Sequence, residues 1–350
     1  MNPIVGCDGC ELWPHPSEII PGLVSGIGQR ISMHADELRT RVERVLASYQ
    51  TGTSILHARY QIIDRLNEEF PKIHYSWFER WILEPFRCFA GVKIADHDSR
   101  FVASNATGDK ERLPIFENVT PMPGRMENAS LWSDLRGQAR GGKPWLSNLS
   151  RTILISSMGD ALSEAIPFSF LSEEIIHNVD SEPGSRHNWI WMTKRPSRMA
   201  DFAAWLRTEH GKLWPGNLMS MTSVTNQATA YLVDELRNVP GFKAVCFEPL
   251  VEKVVVDLTG IDWVVVGGES GEYARPFNLD WVRSLQTQCR ILRIPFFIQG
   301  LGARQIDDGR ELRLGGGRIG YWGRWPDEMR VREMPYIFRR PGEVETEVAV

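Results

Sequence analysis

The feature that most constrains the fold is a repeated unit between Arg151 and Gly302: a short apolar run, a polar or glycine-rich turn, and a stretch with helical spacing. Repetition of this kind predicts strands and helices that alternate around a parallel sheet. The predicted strands are Ile153–Ser157, Trp189–Thr193, Leu218–Val224, Ala244–Glu248, Trp263–Gly267 and Phe296–Gln299.

The apolar runs also indicate how the sheet is covered. The segments DWVVVGG and PFFIQG each contain a continuous apolar run, as expected for strands that are buried on both faces. Right-handed crossovers then close the sheet toward a barrel or leave an open, doubly wound sheet. We favour a full or partial (βα) barrel, because polar residues follow nearly every strand and would converge at one end.

The amino-terminal part of the chain has a different pattern. Residues 16–86 carry apolar residues at helical spacing and predict a helical insertion of two or three helices. We therefore expect a barrel domain formed by residues 1–15 and 87–302, and a C-terminal extension over residues 303–350. Core packing explains the apolar stripes of the insertion, and a partner-binding or substrate-capping surface is the alternative.

Composition restricts the class of protein. Hydrophobic residues make up 42% of the chain and charged residues 24%, which is typical of a globular protein. Because no apolar run approaches the roughly 20 residues that span a bilayer and the start lacks a secretory signal pattern, we expect a cytoplasmic protein without a membrane partner. The net charge of -4 neither indicates nor excludes a nucleic-acid partner.

The five cysteines indicate metal or redox chemistry. Five is an odd number, and Cys7 and Cys10 form a C-x-x-C pair, so a secreted disulfide framework explains them poorly. The chain has no second C-x-x-C pair, so a structural zinc site would need Cys88 together with His97 or His15.

Sequence blocks add a family resemblance. N-P-I-V-G-C-D-G-C at the start and R-C-F-A-G at 87–91 resemble the two halves of a three-cysteine motif in a phage-borne, radical-SAM-like family of largely unknown function. The family's commoner motif is compact, whereas residues 11–87 separate its second and third cysteines here. Further blocks that resemble the family are FENVTPMPGRM at 116–126, ISSMGD at 155–160, MTKRP at 192–196, TSVTNQ at 222–227, FEPL at 247–250, DWVVVGGESG at 262–271, ARP at 274–276 and REMP at 332–335.

The resemblance implies a radical S-adenosylmethionine enzyme on a partial barrel. Cys7, Cys10 and Cys88 would hold a 4Fe-4S cluster and leave one iron to S-adenosylmethionine. Reductive cleavage of S-adenosylmethionine, driven by an external electron donor, would start radical chemistry on an unidentified substrate. The phage association makes a nucleic acid or nucleotide the candidate substrate, and a peptide or small metabolite is equally compatible with the residues.

Polar residues after the strands are the candidates for contacts with the organic groups. We predict catalytic roles for Lys194, Glu248 and Glu269. We predict that Ser157 and Asp160 hold the amino group of the cofactor, since an ammonium seeks carboxylates and hydroxyls. The remaining predicted cofactor-binding residues are Thr193 and Arg195, for a carboxylate or an anionic substrate, and Ser223, Asn226 and Gln227, for the ribose or adenine.

Each of these assignments has a structural alternative. An acid that follows an apolar strand is often a helix cap or a salt-bridge partner, and Lys194 and Arg195 are compatible with solvated loop charges. Cys246 lies within a predicted strand, where a barrel-facing thiol could donate a hydrogen atom to a substrate radical or could be a small buried hydrophobe. The alternative function is a non-catalytic binding module of phage or defence origin, in which zinc or a cluster is structural.

Overall fold

The structure is a computed structural model that describes residues 4–5, 16–47, 55–74, 78, 119–156, 159–269, 274–312, 314, 322–335 and 338. The chain divides into two compact units. The larger consists of residues 1–3, 123–157 and 164–350, and the smaller of residues 4–122 and 158–163. None of the described helices has the length and apolar character needed to cross a membrane.

The larger unit is built on six parallel strands that are hydrogen-bonded in chain order. The sheet is curled into a half-barrel. This confirms the predicted α/β class and the partial barrel. The strands are β1 (Thr152–Ile155), β2 (Asn188–Thr193), β3 (Leu218–Ser223), β4 (Lys243–Phe247), β5 (Trp263–Gly268) and β6 (Phe296–Leu301).

Helices cover one face of this sheet, and the other face is the inner face of the half-barrel. Successive residues of a strand point to opposite faces. Trp191 packs edge-on against Phe202 of the helix Pro196–His210, with ring centroids 5.7 Å apart, which places Trp191 on the helix-covered face. The residues on either side of Trp191 in the strand therefore point to the inner face, as do their register partners in the other strands. These inner-face residues form one cluster that includes Ile190, Met219, Met221, Ala244, Cys246, Trp263 and Val265.

The two longest helices of the larger unit have local start and stop signals. The helix Pro196–His210 begins with proline, whose missing N–H is not needed there, and ends at Gly211 with φ 61°. The helix Leu279–Leu292 begins after Asn278, whose side-chain oxygen accepts a hydrogen bond from the Asp280 N–H at 2.8 Å. These signals explain where both helices begin and end.

A C-terminal segment completes the core of the larger unit. Glu333 pairs with the edge strand β6, donating its N–H to the Phe296 carbonyl at 3.0 Å, and its own carbonyl accepts from Trp263 Nε1 at 2.9 Å. Phe338 then joins the inner-face cluster, and its carbonyl accepts a hydrogen bond from Asn188 Nδ2 at 3.3 Å. Part of the predicted C-terminal extension therefore packs against the sheet, near the start of β2, β5 and β6.

The smaller unit contains the three helices Pro16–Gly28, Ala35–Ala47 and Ile55–Glu69, within the region where the sequence predicts a helical insertion. Consecutive helices pack on each other through residues at helical spacing. These include Leu23, Ile27, Leu38, Val42, Ile62 and Leu66. Two short strands, Ile4–Val5 and Thr120–Pro121, also pair antiparallel in this unit.

Candidate functional site

Strand register arranges the inner-face residues in levels. Met192, Met221, Ala244 and Trp263 are consecutive partners across β2 to β5 and lie on one level. The next inner-face level, two residues further along each strand, pairs Ser223 with Cys246 and Cys246 with Val265.

Polar side chains begin at this second level. Thr193 is the register partner of Thr222, so the following residue, Lys194, stands beside Ser223. Glu248 lies two residues beyond Cys246 and therefore projects from the same face. We call Lys194, Ser223, Cys246 and Glu248 the inner-face polar cluster; its members come from the carboxyl ends of three neighbouring strands.

Glu248 is held close to Cys246 at this edge. Its Oε2 lies 3.9 Å from the Cys246 Sγ, within range of a weak hydrogen bond from the thiol. Burial raises the pKa of the Glu248 carboxyl to about 7, and the contact with Cys246 opposes that rise. The carboxyl is therefore able to hold or release a proton near neutral pH, which an ordinary glutamate does not do.

Gly267 makes room for this carboxyl. A Cβ atom at position 267 would lie 2.8 Å from Cδ and 3.0 Å from Oε1 of Glu248, closer than side-chain carbons approach in proteins. Leu250 also donates its N–H to the Gly267 carbonyl at 2.9 Å, which fixes the loop after β4 against β5. The absence of a side chain at Gly267 therefore places the Glu248 carboxyl over the inner face.

Cys246 is a protonated thiol in this environment. Burial raises its pKa well above the usual range, the Glu248 charge raises it further, and the Lys194 charge lowers it. Both charges belong to the inner-face polar cluster, in which Glu248 contacts the thiol and Lys194 follows the strand next to that of Ser223. At neutral pH the sulfur therefore carries its hydrogen.

Ser223 links β3 to the Glu248 loop. It is buried, and its Oγ donates a hydrogen bond to the main-chain carbonyl of Glu248 at 3.2 Å. The Val251 N–H donates to the Thr225 carbonyl at 3.0 Å and strengthens the same connection. The structure thus shows Ser223 in a positioning role, and its contact with a cofactor stays a prediction.

Glu269 has a different environment from Glu248, although both acids follow apolar strands. Its carboxylate forms a bidentate ion pair with Arg275, with Nε–Oε2 and Nη2–Oε1 distances of 2.9 and 3.0 Å, and accepts the Arg275 main-chain N–H at 2.8 Å. The salt-bridge alternative is therefore what the structure displays at Glu269, and a catalytic role for it stays a prediction.

Four other predicted ligand-binding residues make contacts that shape the loops. Thr193 Oγ1 accepts the Arg195 N–H at 2.9 Å, which forms a turn directly after β2. The Asn226 side chain caps the single helical turn 227–229. Gln227 uses its amide to bond both main-chain groups of Val255. These contacts do not test whether the four residues also bind a ligand.

The remaining predicted site residues belong to the smaller unit or lie outside the described residues. Asp160 belongs to the smaller unit, where its Oδ1 accepts the Leu162 N–H at 3.0 Å. Residues 7, 10, 15, 88, 97 and 157 lie outside the described residues, and with them both proposed metal sites. Among the described residues no group of three or more histidines, cysteines or acids could hold a metal ion.

Sequence patterns leave the roles of Cys246 and Gly267 undecided. They are compatible with a barrel-facing thiol or a small buried hydrophobe at Cys246, and they place Gly267 only at the end of a predicted strand. Counting back by two from Glu248 would have placed Cys246 on the same face, because strand side chains alternate. Nothing local to Gly267 indicates that it faces Glu248, since the two residues are neighbours only across strands.

A curled parallel sheet with helices on its outer face and polar side chains at the carboxyl end of its inner face defines the larger unit as an α/β half-barrel, an architecture whose active sites lie at that end. The chain belongs to the family described as "Protein of unknown function (DUF5131)", whose model matches residues 88–335. Cys88 is the first residue of that match, and Cys7 and Cys10 precede it. No curated protein and no solved structure matches the chain.

Proposed function

We propose that the protein is a radical S-adenosylmethionine enzyme that acts at the inner-face polar cluster. The observation that carries the proposal is the convergence of a cation, a hydroxyl, a thiol and a carboxyl at the carboxyl end of a parallel half-barrel. The three-cysteine pattern at Cys7, Cys10 and Cys88 supplies the candidate ligands of a 4Fe-4S cluster.

The chemistry of the cluster residues suits a zwitterionic cofactor. Lys194 offers a cation to a carboxylate, and Glu248 offers an acceptor to an ammonium group. When bound, the iron–sulfur cluster and S-adenosylmethionine would together supply a carbon-centred radical upon reduction. The chain itself would bind and orient the organic groups.

The level below the polar cluster is apolar. Met192, Met221 and Ala244 line the inner face beneath Lys194, Ser223 and Cys246. A radical at this edge would therefore meet apolar side chains on one side and a small set of polar groups on the other. Such surroundings protect a reactive species from unwanted reactions.

The substrate class that we propose is a nucleic acid or nucleotide. Lys194 and Arg195 follow β2 directly and place two cations at one strand end. Phosphate groups are the usual partners of such cations in nucleic-acid complexes.

The first experiment tests the cluster. Protein reconstituted anaerobically with iron and sulfide should bind about four irons per chain and show a brown, reducible chromophore. Alanine at Cys7, Cys10 or Cys88 should abolish iron binding, whereas Cys289→Ala, which removes a buried helix cysteine, should keep it. A colourless protein with stoichiometric zinc would instead support the non-catalytic module.

The second experiment tests the chemistry. Reduced, reconstituted protein given S-adenosylmethionine should release 5′-deoxyadenosine and methionine, slowly without a substrate. Glu248→Gln should lower the rate of release while iron content stays unchanged, because Glu248 is proposed to contact organic groups and not iron. A loaded, reducible cluster that neither binds nor cleaves S-adenosylmethionine would refute the enzymatic proposal.

A further inference from the structure

We propose that Cys246 donates a hydrogen atom to a carbon radical in this site and that Glu248 is the proton donor that restores its thiol. The inference rests on the proposed function and assigns it a further catalytic residue. Three observations support it: the position of the thiol, its protonation and its neighbour.

The position of Cys246 is on the reactive face and not in the helix-covered core. It belongs to the inner-face cluster and is the register partner of Ser223, one level below the Glu248 carboxyl. The other described cysteine, Cys289, lies on the helix Leu279–Leu292 and is also buried, and its pKa is raised to about 12 by burial and by the charge of Glu333. Cys289 therefore provides a matched control for a buried thiol outside the site.

The protonation of Cys246 suits hydrogen-atom transfer. An S–H bond is weaker than most C–H bonds, so a carbon radical takes a hydrogen atom from a thiol readily, whereas a thiolate has no hydrogen to give. Burial and the Glu248 charge keep the proton on the Cys246 sulfur at neutral pH. The same burial makes this thiol a poor nucleophile or metal ligand, which argues against those roles.

The neighbouring carboxyl closes the reaction cycle. In the first step the Cys246 S–H bond breaks, a C–H bond forms on the substrate radical, and a thiyl radical remains on sulfur. A one-electron reductant of the reduced flavin or iron–sulfur class then supplies one electron, and Glu248 supplies one proton, which regenerates the thiol and leaves a carboxylate. Water returns the proton to Glu248.

The direction of that proton transfer follows from the two environments. The pKa of the Glu248 carboxyl is about 7, whereas the pKa of the Cys246 thiol lies well above its usual range. A thiolate formed beside a protonated Glu248 therefore takes its proton, since the proton moves to the group with the higher pKa. The 3.9 Å separation of Sγ and Oε2 needs only a small approach for direct transfer.

The first test uses S-adenosylmethionine without substrate, in D₂O, with dithionite as a thiol-free reductant. Thiol hydrogens exchange with solvent and carbon-bound hydrogens do not, so the mass of the 5′-deoxyadenosine reports its hydrogen source. We expect most of the wild-type product to carry one deuterium and Cys289→Ala to give the same labelled fraction. Cys246→Ala and Cys246→Ser should each lower that fraction to background, the serine because its O–H bond is too strong to donate.

The second test needs neither cluster nor cofactor. Protein labelled with ¹³C at the cysteine β-carbon reports the thiol and thiolate forms of Cys246 by chemical shift. We expect Glu248→Gln to start deprotonating Cys246 at a lower pH than the wild type, because it removes a neighbouring negative charge, and to leave the Cys289 signal unchanged. Identical Cys246 titrations in the two proteins would show that the pair is not coupled and would overturn the inference.

The outcomes separate this inference from the proposed function. If 5′-deoxyadenosine forms and its deuterium content is the same in the wild type, Cys246→Ala and Cys246→Ser, the hydrogen-donor role is wrong and the enzymatic proposal stands. If no 5′-deoxyadenosine forms from a loaded, reduced cluster, the enzymatic proposal fails and the donor role fails with it.

Discussion

Two adjacent glycines allow a sharp test of how the Glu248 carboxyl is positioned. Alanine at position 267 would place its Cβ 2.8 Å from Cδ and 3.0 Å from Cγ of Glu248. Alanine at position 268 would place its Cβ 2.8 Å from the main-chain nitrogen and 2.9 Å from the Cα of Gly302. Ordinary carbon contacts are about 3.5 to 4.0 Å, so each substitution requires a shift of roughly 1 Å.

The two shifts have different costs because different groups must move. At position 267 the obstacle is the end of a flexible side chain, so Gly267→Ala should lower the free energy of unfolding by less than about 1 kcal/mol. At position 268 the obstacle is backbone of a neighbouring strand end, and Gly302 is held at φ 71°. Gly268→Ala should therefore cost at least about 2 kcal/mol, within the range of overpacked cores.

Denaturant unfolding of both variants measures this difference, and ¹³C-detected titration of Cys246 measures the displacement of Glu248. We expect Gly267→Ala to lower the pKa of Cys246, because the carboxylate moves away from the sulfur, while stability is almost retained. If Gly267→Ala is as destabilising as Gly268→Ala, or leaves the Cys246 titration unchanged, the Glu248 side chain does not move away from the added methyl group.

Three further predictions concern charge and burial. The pKa of Glu248 is raised in the folded state to about 7, so protonation of this group favours folding at low pH. Its contribution to the free energy of unfolding is lost as the pH rises from about 4.5 to about 7. Glu248→Gln should therefore remove a pH dependence on the order of 3 kcal/mol from the free energy measured by urea unfolding. Lys194→Ala should weaken cofactor or substrate binding by about 1.5 to 3 kcal/mol in calorimetric titrations, the range for a charge-assisted hydrogen bond. The Arg332 guanidinium lies 4.4 Å from the Trp145 ring centroid and 4.5 Å from that of Trp322, so Arg332→Ala should lower the free energy of unfolding by about 2 kcal/mol and Arg332→Lys should restore only part of it, because lysine lacks the planar group that stacks.

The half-barrel sheet was predictable because its signals are local. Each strand is a short apolar run, and turn residues and a helical stretch follow it in the sequence. The residues that start and stop a helix such as Pro196–His210 are its neighbours in the sequence. The predicted strands differ from the observed ones by at most two residues at the ends that are described. The largest difference is at β6, which continues to Leu301 across a register shift opposite Val266 and Gly267.

The packing of the C-terminal segment could not be predicted from local sequence patterns. Residues 303–350 have little periodicity, and the sequence predicted an extension. The pairing of Glu333 with Phe296 and the packing of Phe338 on the inner face depend on groups that are distant along the chain. No local rule predicts such pairing, because its free energy comes from contacts that exist only after the sheet has formed.

By itself, the sequence determined the parallel α/β architecture and the set of polar residues at the strand ends, since periodicity and turn chemistry act over a few residues. Only the tertiary structure decided which of those residues meet. Glu248 and Glu269 both follow apolar strands, yet the loop of Glu269 brings Arg275 to its carboxylate, whereas Gly267 leaves space for Glu248 above Cys246. The physical reason is that burial and charge pairing, which set the chemistry of an acid, are properties of neighbours across strands and not of neighbours in sequence.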